Sequence, residues 1–327
     1  MTPLLEVTGL RIAFPGQHGP MYPVDGVTFS VRRGELLALV GESGSGKSLS
    51  CLAILGLVPT PGRIDPTSRI LLGGTSLPDL NREAMRRVRG RRIGMIFQDP
   101  TTSLNPVFTI GRQLEEAVAN HFPGPRAAIR ARAVELLGEV GVPEPAGRLA
   151  SYPHELSGGL RQRVMIALAL SGEPDLLLAD EPTSSLDVTV QAQILALLDR
   201  LRASRGMAVV LVTHDLGLVA GRADHVAVMY AGQVVERATA VRLFAAPAHP
   251  YTRGLFRSVP RLDAPVDRLA PIPGVVPTAA RWPAGCRFHP RCPEALTQCQ
   301  SESPALRHVG PDQSAACLLL DPPQAGG

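Results

Sequence analysis

Lysine is almost absent from this chain: of 33 Lys and Arg residues among 327, a single one, Lys47, is lysine. Aromatic side chains are scarce as well, at 4% of the chain. No apolar run approaches the roughly 20 residues that a membrane-spanning helix needs, and the polar N-terminus carries no signal-peptide pattern. The expectation is therefore a cytoplasmic chain that does not itself cross a membrane. The stretch holding Arg82, Arg86, Arg87, Arg89, Arg91 and Arg92 has no interleaved aromatics to stack on bases. It reads as a solvated helix face, so nucleic acid is not an expected partner. Five cysteines, four of them crowded near the C-terminus, read as reduced thiols or ligands rather than disulfides. An apolar fraction of 45% can build a core, and a net charge of +4 suits work near anionic phosphates or an anionic membrane face. The length accommodates two domains, or one with an appendage.

The lone lysine sits in Gly41-Glu42-Ser43-Gly44-Ser45-Gly46-Lys47-Ser48. This is the G-x-x-x-x-G-K-S spacing of a phosphate-binding loop, whose backbone N–H groups wrap a polyphosphate. A compact ammonium fits between β- and γ-phosphates where a planar guanidinium does not, which accounts for lysine surviving here alone. The apolar run Leu36–Val40 predicts a buried parallel strand before the loop, and Ser48–Leu55 a helix after it. The helix N-terminus adds its partial positive charge to the anion site. Residues 41–48 are thus expected to bind a nucleoside triphosphate. A second strand, Leu176–Asp180, ends in Asp180-Glu181. Asp180 is placed to act on Mg²⁺ through its water shell, with Ser48 as a direct ligand and Glu181 polarising the attacking water.

Between them lies Leu156-Ser157-Gly158-Gly159-Leu160-Arg161-Gln162. Ser157 is a natural N-cap, and Val164, Ala167, Leu168 and Ser171 follow at helical spacing. Two glycines in the first turn clear a path for a phosphate to the helix N–H groups. A chain that already has one phosphate loop and adds a second phosphate-binding helix points to a site shared by two subunits. After it, Val190, Ile194, Leu197, Leu198 and Leu201 predict one apolar helix face.

These motifs, in this order, resemble the nucleotide-binding subunit of an ABC transporter. Leu156–Gln162 is similar to that family's signature, with Leu160 a small departure. Gln98 resembles the Q-loop glutamine and also a Mg²⁺ ligand. Ser185-Leu186-Asp187 resembles the D-loop, with Ser184 another small departure, and His214 resembles the switch histidine. Phe14 falls where the family stacks an aromatic on adenine, with Tyr22 as the alternative. The resemblance implies an α/β P-loop NTPase core of the ABC type with an antiparallel β subdomain, starting in a β-rich stretch at about residues 4–35, and a helical subdomain at about residues 100–156. Within the latter, Arg112–Val118 and Ala127–Val140 carry helix-like patterns. It also implies a head-to-tail dimer that sandwiches ATP between Gly41–Ser48 of one subunit and Ser157, Gly158 and Gly159 of the other, with Asp187 at the junction. Lys47, Gln98, Glu181 and His214 would act in hydrolysis.

From about residue 245 the composition turns to Pro, Ala and Arg with little periodicity, giving domains at 1–244 and 245–327 and an irregular tail. His249–Leu255, Ser258-Val-Pro260, Ile272-Pro-Gly274 and Gly285–Pro293 are similar to the tail of oligopeptide/dipeptide importer ATPases, and Thr213–Gly217 looks like the D-type subunit. Cys286, Cys292, Cys299 and Cys317 are separated by five, six and seventeen residues. That spacing leaves open a zinc site, an iron–sulfur cluster or unliganded thiols, and the resemblance points to a [4Fe-4S] cluster. Cys51, on the helix after the phosphate loop, reads as a core residue. The resemblance also implies a second ATPase subunit, two transmembrane permeases and an extracytoplasmic binding protein, with this chain on the cytoplasmic face of the inner membrane. Nickel or another small solute is the alternative cargo. A non-transport ABC ATPase acting on nucleic acid or the ribosome, or a tail that senses redox state, are the alternatives of other classes.

Overall fold

The computed structural model describes residues 2–17, 19–99, 103–184, 186–258 and 272–320. Ser185, Val259 and Pro260, quoted above, lie outside the described residues. In chain order, β1 (Leu5–Phe14) and β2 (Met21–Val31) precede β3 (Leu36–Val40), α1 (Lys47–Ile54), β4 (Arg63–Ile64), β5 (Arg69–Leu72) and β6 (Thr75–Ser76). Then come α2 (Arg82–Val88), β7 (Ile93–Ile96), α3 (Ile110–His121), α4 (Arg126–Glu139), α5 (Pro145–Arg148), α6 (Gly158–Leu170) and β8 (Leu176–Asp180). α7 (Val188–Arg205), β9 (Ala208–Thr213), β10 (His225–Tyr230), β11 (Gln233–Thr239), α8 (Ala240–Ala245), α9 (Pro250–Ser258), β12 (Arg307–Gly310) and β13 (Gln313–Ala315) follow. These elements pack into two compact units. One holds the residues up to Leu4, Arg32–Glu35 and Asp79–Val212, and the other Leu5–Val31, Leu36–Pro78 and the residues from Thr213 onward.

In the first unit, β7, β8 and β9 pair in parallel, with Ile93 opposite Leu176 and Leu176 opposite Ala208. Every residue of β8 and β9 is buried, as expected of strands covered on both faces. The predicted helices at 112–118 and 127–140 form as α3 and α4, which pack on each other and on α6. Ser157 caps α6 as the sequence predicts, accepting the Leu160 N–H at 3.4 Å. Of the expected stripe, Val164, Ala167 and Ser171 are buried and Leu168 is half-buried, and Met165, Ile166, Ala169 and Leu170 are buried as well. α7 buries Ile194, Leu197, Leu198 and Leu201 as expected, and also Leu195. Val190 is the exception: it sits in the first turn and turns toward Gly159 instead of the core. The basic run on α2 is a solvated face, where Arg86 and Arg87 pair with Glu83.

The second unit has two sheets. One runs β2-β1-β5-β6 with β4 on β1, all antiparallel. The other includes β12-β13-β11-β10-β3, where only β10 and β3 are parallel. β3 is buried along its whole length, and Cys51 is fully buried on α1, as read. The tail is less irregular than its composition predicts. Short 3-10 turns do fill Ala279–Arg281, His289–Arg291 and Thr297–Gln300. But β13 adds itself to β11, pairing Ala315 with Glu236 and Gln313 with Ala238.

That junction is held by a buried carboxylate, which must be saturated with donors to be tolerated. Glu236 is 0% exposed and accepts the N–H groups of Ala248 and His249 and the Gln313 amide, each at 2.8 Å. His249 is buried beside it, and its Nδ1 accepts the Tyr251 N–H at 3.0 Å. A protonated ring would set two donors face to face. Burial, aided by the nearby Arg253 charge, lowers its pKa from 6.5 to about 3. The unfolded chain therefore takes up a proton that the native chain refuses between these values. The stability this ring contributes is present above pH 6.5 and is lost as pH falls toward 3. The unfolding free energy, measured by denaturant titration from pH 7.5 to 5, should fall with a slope of up to about 1.4 kcal/mol per pH unit below pH 6.5. His249→Asn, although less stable at pH 7.5, should show a shallower slope.

Candidate nucleotide site

The second unit carries the phosphate loop between β3 and α1. Gly46 caps α1 with φ +98°, a conformation that L side chains rarely adopt. A Cβ there would also lie 2.8 Å from the Pro23 carbonyl oxygen. Lys47 is only 4% exposed, and its ammonium donates to the carbonyls of Gly41 and Glu42 at 2.7 and 3.0 Å. Ser45 is buried, and its carbonyl accepts the Gly232 N–H at 3.1 Å, while Ser43 and Gly44 are exposed and Ser48 is half-buried at the start of α1. The loop is thus a preformed turn whose lysine is folded inward, ahead of a helix N-terminus. The ring of Phe14 packs over Gly62, and Tyr22 lies under the Arg11 guanidinium at 5.2 Å. His214, just past β9, is exposed.

In the first unit Asp180 ends β8 and is buried. Glu181 follows with φ +44°, a left-handed residue other than glycine and a store of backbone strain. Its N–H donates to the Val212 carbonyl at 3.0 Å, and Gln98 Nε2 donates to its Oε2 at 3.1 Å. Gln98 and Glu181, far apart in sequence, are brought together. So are the signature-like turn and the start of α7. A Cβ on Gly159 would meet Val190 at 2.8 Å, and one on Gly158 would meet Leu186 at 3.7 Å. Asp187 is the N-cap of α7 and accepts the Thr189 and Val190 N–H groups, each at 3.0 Å, a structural duty the motif reading did not assign.

Two residues without a role in the sequence reading reach the phosphate loop from the tail. Tyr251 Oη accepts the Glu42 N–H at 3.0 Å. Arg291 forms a two-pronged pair with the Glu42 carboxylate at 2.7 and 3.0 Å. Both stand within motifs quoted above, but no local spacing marks a partner some two hundred residues away.

The four tail cysteines share one neighbourhood. The Cys286 N–H donates to the Cys299 carbonyl at 2.9 Å. Burial pushes the thiols of Cys286, Cys292 and Cys317 up, the last to about 11, and the neighbouring cysteines add to each shift. Four soft sulfur donors gathered this way suit a thiolate-bound group in chemistry. Their positions do not: among the described residues no three His, Cys, Asp or Glu side chains are arranged to hold a metal ion. The expectation of a formed cluster or zinc site is not met by this geometry.

Comparison with known proteins accords with both the loop and the tail. Residues 24–184 match the ABC transporter family, and residues 235–299 match the oligopeptide/dipeptide transporter C-terminal region. The chain is 28% identical to the ATP-binding cassette MJ0796, whose dimeric post-hydrolysis state was solved with ADP and Pi. The TM-score is 0.64, covering 72% of this chain and 98% of that one. It matches cbiO1 from Clostridium perfringens equally well, at TM-score 0.64 and 28% identity, over 75% of this chain and 92% of that one. Fold and loop therefore define an ATP-hydrolysing cassette with an α/β P-loop core. The dipeptide transport ATP-binding protein DppD of Escherichia coli (strain K12) is 48% identical over 96% of this chain and 96% of its own. The oligopeptide transport ATP-binding protein AppD of Bacillus subtilis (strain 168) is 47% identical over 98% of each chain. The chain belongs to the oligopeptide/dipeptide branch of the ABC transporter ATP-binding proteins.

The left-handed backbone at Glu181 makes a separable prediction. Glu181→Gly and Glu181→Ala both lose the bond to Gln98, but only glycine relieves the strain. In denaturant titrations the glycine variant should be the more stable of the two by about 1 kcal/mol. Equal stabilities would contradict the strain.

Proposed function

We propose that this chain is a motor subunit that powers import of oligopeptides or dipeptides through a membrane ABC transporter. The observation that carries this reading is the near full-length likeness to peptide-transport ATP-binding proteins, tail included. No helix among the described residues is long and apolar enough to cross a membrane, so the path for solute belongs to other chains. Two permease subunits, a second ATPase subunit and an extracytoplasmic binding protein complete the assembly, with this chain peripheral on the cytoplasmic face of the inner membrane. Residues 1–244 form the motor and 245–327 the tail.

In this reading the N–H groups of Gly41–Ser48 wrap the triphosphate of ATP, and Phe14 stacks on adenine. Lys47 exchanges its bonds to the Gly41 and Glu42 carbonyls for the β- and γ-phosphates. Ser48, Gln98 and Asp180 would hold Mg²⁺, which supplies charge neutralisation at the phosphates. Glu181 orients the attacking water and accepts its proton, and the Gln98 amide steers that carboxylate. His214 contacts the γ-phosphate. Ser157, Gly158 and Gly159 of the partner subunit close over the same phosphate, with Asp187 at the junction. The γ-phosphate is thus the adhesive between subunits, and its loss releases them. Contact of Gly158 and Gly159 with the start of α7 supports one further step: movement of that second phosphate-binding turn carries Asp187 with it.

In the tail, a [4Fe-4S] cluster, or zinc as the alternative, on Cys286, Cys292, Cys299 and Cys317 would require these thiols to converge beyond the arrangement described, and would then cross-link a segment dominated by short turns. Anaerobically purified protein should contain about four iron and four acid-labile sulfide per chain on this reading. Stoichiometric zinc would replace the cluster with its alternative, and neither metal would leave four free thiols.

The function is tested with the chain reconstituted in liposomes with its permeases, partner ATPase and binding protein. Short and longer peptides should stimulate ATP hydrolysis, and Ni²⁺ should not. Stimulation by Ni²⁺ alone would reject the cargo, and hydrolysis indifferent to any solute would reject transport. In the same assembly Glu181→Gln should keep ATP binding and slow turnover by about 10²–10⁴-fold, the range for loss of a positioned base.

A further inference from the structure

Within the phosphate-loop spacing, position 42 is unconstrained, yet it holds a carboxylate, a charge of the wrong sign beside a polyphosphate. Glu42 is not left to solvent. The Arg291 guanidinium meets both of its oxygens, Nη1 to Oε2 at 2.7 Å and Nη2 to Oε1 at 3.0 Å. The fork-to-fork geometry fixes the carboxylate plane as well as its charge.

Arg291 is itself immobilised, with a side chain only 5% exposed. Its Nε donates to the Pro273 carbonyl at 2.8 Å, and Nη2 also reaches the Ile272 carbonyl at 3.4 Å. Its Cζ stands 5.7 Å from the centre of the Tyr230 ring. Tyr230, Tyr251 and Phe288 pack together behind it, with ring centroids 4.6 to 5.4 Å apart. From that cluster Tyr251 Oη takes the Glu42 N–H. The same Glu42 presents its carbonyl to Lys47. Every polar group of Glu42 is therefore tied to the tail or to the catalytic lysine.

We propose that Arg291 is a positioning residue of the nucleotide site, which anchors and neutralises Glu42 so that the phosphate loop accepts ATP. The tail is then a wall of the site rather than an appendage. Because Arg291 precedes Cys292, order in the cysteine segment is communicated to the loop through this pair. The inference rests on the reading that residues 41–48 bind ATP.

Three comparisons on the full chain decide it. Arg291→Ala should raise the Kd and KM for Mg·ATP about tenfold at low salt and less at high salt, with a smaller change in kcat. Arg291→Lys should restore part of the loss, because one ammonium replaces the charge but not the fork. Adding Glu42→Gln to Arg291→Ala should recover most of the affinity, since the uncompensated carboxylate is then gone. Should Arg291→Ala fail to fold, Arg291→Gln removes the charge while keeping an amide donor for the Pro273 carbonyl, and the same rescue applies. An unchanged Kd in the single variant, or a double variant that binds no better, would overturn the proposal. Lys47→Ala separates the two readings. If it too keeps full ATP affinity, the assignment of the loop has failed, and if it alone loses affinity, only the role of Arg291 has.

Discussion

The anion site proposed at residues 41–48 depends on a loop held in shape before any phosphate arrives. Much of that holding is done from outside the loop. Gly46 takes a left-handed turn against Pro23, and the Ser45 carbonyl is bound by the Gly232 N–H. Glu42 is fastened by Tyr251 and Arg291. Lys47 folds back on the carbonyls of Gly41 and Glu42, occupying the loop's acceptors and none of its donors. Preorganisation of this kind lets donors meet a phosphate without the cost of reorganising at the moment of binding. The rest of the second unit serves that loop. β3 fixes its start, α1 supplies the helix end, and the tail supports the outer side.

The first unit presents a different logic, in which functional groups are held by strain and close approach. Glu181 keeps a left-handed backbone at the end of a buried strand, with its carboxylate bonded to Gln98. Gly159 leaves no room for a side chain against Val190, so the turn that caps α6 and the turn that caps α7 form one contact. Asp187 then has two tasks, capping α7 in this chain and, in the proposed dimer, meeting the partner. A residue bound into a helix cap is well placed to pass a change at a subunit junction into the helix behind it.

Much of this was legible in the sequence where the signal is local. The apolar runs Leu36–Val40 and Leu176–Asp180 are strands because uninterrupted branched side chains suit a sheet covered on both faces. Ser157 capped its helix because its hydroxyl follows directly from the motif. The site motifs were readable for a similar reason, since a phosphate loop is a short contiguous device. What stayed hidden is long-range or carried by polar residues. Gln313 and Glu236 dock the tail strand through a buried hydrogen-bond network, and a periodicity of apolar residues cannot report it. Val190 read as core, but its place in the first turn gave it to Gly159. Glu42 was read as part of the phosphate loop and Arg291 as part of a tail motif, but neither residue names a partner at that distance. The cysteines were conspicuous in sequence, yet being near one another is not the same as converging on a metal.

The measurement that reaches the central claim most directly is hydrogen–deuterium exchange of the full chain, with and without Mg·ATP, resolved by peptide. A loop held open by its surroundings should already show protection in residues 249–255 and 287–292 without nucleotide. ATP should then slow exchange across residues 43–48, where the backbone N–H groups meet the phosphates. Exchange that slows elsewhere, with residues 43–48 unchanged, would contradict the account.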